Sequence, residues 1–288
     1  LTNYLVATDL SPRSDAALKR ALAILRSTPD ARLTVLHVHS DDLPFDLAAE
    51  EGRFTLRALQ AGLDAAGATD ADQISARSVG GDAHVAIHEA AEELDAALIL
   101  VGIPRARRFP ASLSGTTAER LLGLSDRPVA VVRHAGRDWR RVLFALDEDA
   151  ESLAAFDRVK AMGLLDQAEV TVLHATNLPA PAMIRGGLTN LVDLQRLDML
   201  ALSEIEQNLR TRLTTRLAGP KSLRFVVRHG APSTAIREQM LDDDYDLLLL
   251  GSHGRGPLIA SLLGSTSAEM IRDAGTDLIC VPLGEAKA

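Results

Sequence analysis

The segment DYDLLLLGSHGRGPLIASLLGSTSAEMI, Asp244 to Ile271, decides how the rest of the chain is read. Leu247 to Leu250 is an apolar run too short for a helix and suited to a strand buried on both faces. A glycine-rich turn follows, Gly251-Ser252-His253-Gly254-Arg255-Gly256. After a short apolar stretch, Gly264-Ser265-Thr266 leads into SAEMIRDA, which predicts a helix start. Ser265, Thr266 and Ser267 are candidate caps, and Glu269 stands three residues after Thr266, the spacing of a capping box. A buried strand, a glycine turn and a hydroxyl-bearing helix N-terminus present backbone N–H groups to an anion. The segment predicts a phosphate site.

Outward from this segment, the chain shows the same pattern twice. Tyr4 to Thr8 reads as a buried strand ending in Asp9, and Val142 to Leu146 as another ending in Asp147. LTVLHV, Leu33 to Val38, is echoed by VTVLH, Val170 to His174. Gly81 lies 21 residues before Gly102, and Gly230 lies 21 residues before Gly251. Gly251 and Gly264 follow Gly102 and Gly115 by 149 residues each, while Asp147 follows Asp9 by 138. The second copy thus carries about eleven extra residues, assigned to Asn177 to Leu191. Two tandem domains are expected, 1–137 and 138–288. Within each, strands and helices alternate, the pattern of an α/β fold with a five-stranded parallel sheet covered by helices on both faces. Ligands of such sheets bind beyond the carboxyl ends of the strands, where strand order reverses.

Composition narrows the function. The chain has 288 residues and a net charge of −8, which argues against a general grip on nucleic acid. Aromatic residues make up 3%, too few to supply stacking platforms. The single cysteine, Cys280, excludes an internal disulfide and reads as core filler in Leu278-Ile279-Cys280-Val281. No apolar run approaches 18 residues, so the expectation is a cytoplasmic protein without membrane contact. His37-x-His39 places two imidazoles on one strand face, but with no third ligand fixed in sequence no metal site is assigned. No catalytic residue is assigned either, since no G-x-S-x-G nucleophile turn occurs.

Gly251, Gly254, Gly264 and Ser265 fall as G-x2-G-x9-G-S, which is neither the Walker pattern nor the dinucleotide fingerprint. The spacing resembles the nucleotide-binding motif of the universal stress protein family, and the likeness covers essentially the whole chain. The resemblance implies two Rossmann-like domains of the adenine-nucleotide-binding type. It implies ATP, or AMP or ADP, in the second domain, with Mg2+ held through the phosphates. The residues it marks there are Asp147 and Ala175 beside the base, and Gly251, Gly254, Gly264, Ser265 and Thr266 around ribose and phosphates. His253 and Arg255 flank the turn, where a cation meets a phosphate; solvated loop residues are the other reading. Asp147 likewise has two readings, as an acceptor from the adenine amino group or as a helix cap.

The first copy departs from the motif, with Arg105 where the second glycine belongs. A side chain there obstructs backbone approach to phosphate. Asp9, Gly102, Arg105, Gly115 and Thr116 are therefore expected to form a degenerate site. The implied role is regulatory, in stress resistance, with at most weak ATPase activity because no Walker lysine is present. A nucleotide-free interaction scaffold and an ATP-consuming enzyme are the alternatives. Leu278 to Leu283 is the candidate segment to meet Val129 to His134, pairing the copies within one chain; a homodimer is the other arrangement.

Overall fold

The computed structural model describes residues 2–28, 30–39, 45–65, 73–103, 116–134, 138–147, 150–176, 191–252 and 265–282. The first copy runs β1 Thr2–Thr8, α1 Pro12–Ser27, β2 Ala31–His39, α2 Phe45–Ala65, β3 Ile74–Gly80, α3 Ala83–Glu93, β4 Ala96–Gly102, α4 Thr117–Leu124 and β5 Val129–Val132. The second runs β6 Arg141–Leu146, α5 Ala150–Ala161, β7 Glu169–Thr176, α6 Leu191–Leu213, β8 Ser222–His229, α7 Pro232–Asp242, β9 Leu247–Ser252, α8 Ser265–Asp273 and β10 Asp277–Pro282. By contacts the chain divides into two compact units, Leu1–Asp138 with Ser252–Ala288, and Trp139–Gly251.

Local chemistry explains these elements. The central strands are apolar on both faces: Leu98, Ile99 and Leu100 of β4 and Leu247, Leu248 and Leu249 of β9 are fully buried. Each such side chain contributes roughly 1.5–3 kcal/mol of burial. In α1, Ser11 sits at the N-cap with extended backbone and Pro12 supplies a preset φ at the first turn. The stripe Ala17, Ala21, Leu22 and Leu25 then buries against the sheet. Gly81 and Gly230 enter α3 and α7 at φ of 127° and 117°, a region that favours glycine. The Gly81 N–H donates to the His39 carbonyl at 3.1 Å, and the Gly230 N–H to the Thr176 carbonyl at 3.0 Å, so the repeat extends to its turns.

In the first unit the strands are ordered β3-β2-β1-β4-β5-β10. The first five are parallel, and β10 joins β5 antiparallel, with Leu278 opposite Val131 and Cys280 opposite Val129. The order reverses between β1 and β4. With right-handed crossovers, α1 and α2 cover one face and α3 and α4 the other, consistent with the packing of α3 on α4. The second unit orders its parallel strands β9-β6-β7-β8. Two self-contained five-stranded sheets therefore do not describe the molecule. The last strand of the second copy completes a ladder with the first copy's edge, because β5 ends in the same short, wholly buried apolar surface as β10.

A buried polar cluster holds β10 in place. Asp277 accepts from the backbone N–H groups of Arg133 at 2.7 Å and His134 at 3.0 Å. The Arg20 guanidinium on α1 lies 3.8 Å from the other carboxylate oxygen. Arg133 donates to the Ile271 carbonyl at the end of α8, and His134 donates through Nε2 to the Gly275 carbonyl at 2.8 Å.

Candidate functional site: the strand-end crevices

The reversal of strand order parts the connections leaving β1 and β4, and a cavity of about 490 Å³ opens there in the first unit. Thr8, Asp9, Val38, Gly102 and Ile103 reach it from the strand ends. Arg13, Ser14, Ala83 and Thr116 reach it from the first turns of α1, α3 and α4. Its floor is apolar, made by Ala7, Leu36, Ile87 and Val101.

Hydrogen bonds fix the rim. The Thr8 hydroxyl oxygen accepts from the Leu10 N–H at 3.0 Å and lies 2.9 Å from the Ser14 hydroxyl, which itself donates to the Ser11 carbonyl. Asp9 accepts from the Ser11 N–H at 3.1 Å and from the Ser11 hydroxyl, so one of its oxygens serves the turn into α1. His37 donates through Nδ1 to the Thr8 carbonyl at 2.9 Å, and His174 to the Leu146 carbonyl at 3.2 Å in the second copy. These histidines tie the second strand of each copy to the end of the first. Among the described residues, no group of three or more His, Cys, Asp or Glu side chains is arranged to hold a metal ion.

Gly102 has a packing reason for being glycine. A β-carbon there would lie 2.6 Å from the Arg13 carbonyl oxygen and 2.9 Å from the Ser14 α-carbon. The first turn of α1 presses directly on the end of β4, and this contact shapes the cavity wall.

The N-terminus of α4 carries a full capping box. Thr116 accepts from the Glu119 N–H at 3.3 Å, and the Glu119 carboxylate accepts from the Thr116 N–H at 2.7 Å. Arg272 of α8 donates to the other Glu119 oxygen at 2.9 Å. Burial pushes the Glu119 carboxyl up, but the bonds from Thr116 and Arg272 outweigh it and hold it below the usual carboxylate range. Asp82, which caps α3, behaves alike: its slight burial is outweighed by His84 and Arg120. The helix after the second glycine motif begins at Ser265, so Thr266, a candidate cap with Glu269, lies inside the helix.

In the second unit, Leu146 stands in register with His174, and Ala145 with Leu250. Asp147 follows β6 directly, and Ala175 and Gly251 are the penultimate residues of the neighbouring strands β7 and β9. Asp147 is exposed, and its backbone N–H donates to the Ser152 hydroxyl of α5 at 3.3 Å. Ser265 and Thr266 open α8, which belongs to the first unit. His253, Gly254, Arg255 and Gly264, with Arg105 and Gly115 of the first copy, lie outside the described residues, as does nearly all of the extra segment Asn177 to Leu191.

A tandem doubly wound α/β chain with strand-end crevices is the class that fold and site define. The sequence model of the universal stress protein family matches residues 2–133 and 138–282. The chain belongs to that family. A universal stress protein from Archaeoglobus fulgidus is similar over 98% of both chains, at 23% identity and a TM-score of 0.66. A putative universal stress protein from Pseudomonas aeruginosa is similar over 98% of this chain and 93% of its own, at 16% identity and a TM-score of 0.62. A family protein from Arabidopsis thaliana with AMP bound matches 51% of this chain and 93% of its own, at 14% identity and a TM-score of 0.33. No curated protein matches the chain.

Proposed function

We propose that the second copy binds an adenine nucleotide, ATP or its mono- or diphosphate, and that the bound nucleotide regulates the protein rather than being turned over efficiently. The observation that carries this reading is that Asp147, Ala175 and Gly251 stand at the carboxyl ends of the neighbouring strands β6, β7 and β9. Gly251 is also the first residue of the G-x2-G-x9-G-S spacing. In this reading Asp147 accepts from the adenine amino group, the Ala175 backbone borders the ring, and Gly254 and Gly264 let backbone N–H groups approach the phosphates. Arg255 brings cationic charge to the same turn, and Ser265 and Thr266 offer hydroxyls at the start of α8.

In this reading Mg2+ is held through the phosphates of the nucleotide. Pairing of the two copies within one chain belongs to the same proposal and is supported by the β5–β10 ladder. No described helix is long and apolar enough to cross a membrane, and the cytoplasm is the compartment proposed.

The test is chromatography of the nucleotide released when freshly purified protein is heat-denatured. The reading predicts close to one adenine nucleotide per chain, lost in Gly264→Arg while the fold persists. Protein that releases none, and then fails to bind added ATP and magnesium, would point to the scaffold role instead.

A further inference from the structure

We propose that α2 of the first copy is a self-association surface, on which two chains pair antiparallel along Phe54, Ala58 and Ala61. The proposal is independent of the nucleotide reading. α2 packs on β2 and β3, and β3 is the terminal strand of its sheet. Thr55, Leu59 and Leu63 form the buried face of the helix. Phe54, Ala58 and Ala61 are exposed, Phe54 at 71%, and they recur at i, i+4 and i+7. They draw a second apolar line along the helix, whereas a helix that only covers a sheet needs one.

The second copy shows what the fold itself asks of this line. Leu209 and Leu213 of α6 are buried as Leu59 and Leu63 are. In that register, 150 residues on, Phe54, Ala58 and Ala61 become Glu204, Asn208 and Thr211, all exposed and all polar. The apolar line therefore belongs to the first copy and not to the fold. Gly62 points the same way. It lies inside α2, where glycine costs stability relative to alanine, yet a β-carbon there would meet nothing within 4 Å. Packing among the described residues does not require that glycine, whereas close approach of a second helix would use it.

Shape and charge both select a second chain as the occupant. The line is bulky at Phe54 and small at Ala58 and Ala61. Antiparallel pairing about a two-fold axis between residues 59 and 60 sets each Ala58 against the other chain's Ala61. Phe54 then meets the last turn of the opposite α2, at position 65. Arg57 is exposed beside the line, and Asp64 stands seven residues further along the same edge by its place in the helix. In this register each Arg57 comes opposite the other chain's Asp64, which makes two ion pairs of opposite sign. Glu50, Glu51 and Arg53 precede the overlap. A contact of one helix per chain is small among protein interfaces, so the association depends on concentration.

The experiment is analytical ultracentrifugation of the full chain from micromolar to millimolar concentration. Wild type should pass from monomer towards dimer across that range. Phe54→Glu, Ala58→Asn and Ala61→Thr together import the second copy's residues, and should weaken association by at least about tenfold. These positions are exposed, so circular dichroism should show the fold intact. Arg57→Asp alone should weaken association about threefold or more, and adding Asp64→Arg should restore it to within about twofold of wild type, because the swap rebuilds both ion pairs. A chain that stays monomeric to millimolar concentration would overturn the proposal. So would a dimer that survives the triple change, or a charge swap that associates no better than Arg57→Asp.

Discussion

Arg20, on α1, holds its Nε 3.8 Å from a carboxylate oxygen of Asp277, the first residue of β10, with both side chains almost fully buried. The pair joins positions 257 residues apart in sequence and stands where the N–H groups of Arg133 and His134 also converge on Asp277. A buried carboxylate with this set of donors is costly to remove, because each donor is left behind in a low-dielectric site. Asp277→Ala should destabilise the first unit by about 3–5 kcal/mol. Urea unfolding compared with wild type measures it, and a loss under about 1 kcal/mol would mean that water replaces the carboxylate.

Gly102 makes a different demand. Its missing side chain lets the Arg13 carbonyl approach, so Gly102→Ala forces α1 and β4 apart. The expected loss is about 1–3 kcal/mol, the usual range for overpacking. Gly230→Ala separates this cause from backbone strain. Nothing lies within 4 Å of its absent β-carbon, but its φ of 117° is strained for alanine. Thermal melts should show both variants destabilised; a Gly102 variant as stable as wild type would mean that α1 yields to the added methyl without cost.

Glu119 sets an acid dependence. Its folded-state carboxyl is held below the ordinary value of 4.5, so the charged form is favoured by folding. The stabilisation is fully present above about pH 4.5 and disappears as pH falls through the lowered folded value. Glu119→Gln, which keeps the shape of the capping box but does not titrate, should flatten this limb of the stability-against-pH curve. A curve of unchanged steepness would assign the acid sensitivity to other carboxylates such as Asp82.

Cys280 should be chemically silent in the folded protein. Burial pushes its thiol up to about 12, against a smaller opposing effect of the Ser267 hydroxyl, and the side chain is enclosed in β10. The thiolate is the reactive form. A colorimetric thiol reagent at pH 8 should therefore report reaction only at the rate of unfolding. Prompt labelling of native protein would mean that the β5–β10 edge opens readily.

The strand and helix order was legible because its signals are local. Runs such as Leu247 to Leu250 and the paired echoes of Leu33 and Val170 stand out at the scale of a few residues, and the observed strands follow them closely. The meeting of Leu278 to Leu283 with Val129 to His134 came from the family likeness and not from a local signal, since a strand's partner depends on which apolar edges are left to cover. The Arg20–Asp277 pair was invisible for the same reason: no sequence rule links charges 257 residues apart. Gly102 was read as a turn or phosphate glycine, and its packing against Arg13 appears only once α1 is placed. Asp9 and Thr116, at a strand end and a helix start, border one cavity. The capping box of Thr116 and Glu119 is legible in sequence as Thr-x-x-Glu.

The central claim is that nucleotide binds in the second copy, and stoichiometric ATP titration with magnesium tests it most directly. Wild-type chain should take up one equivalent, Asp147→Ala should bind at least tenfold more weakly, and Gly264→Arg should bind none. Two equivalents in wild type, or binding that survives Gly264→Arg unchanged, would contradict the account.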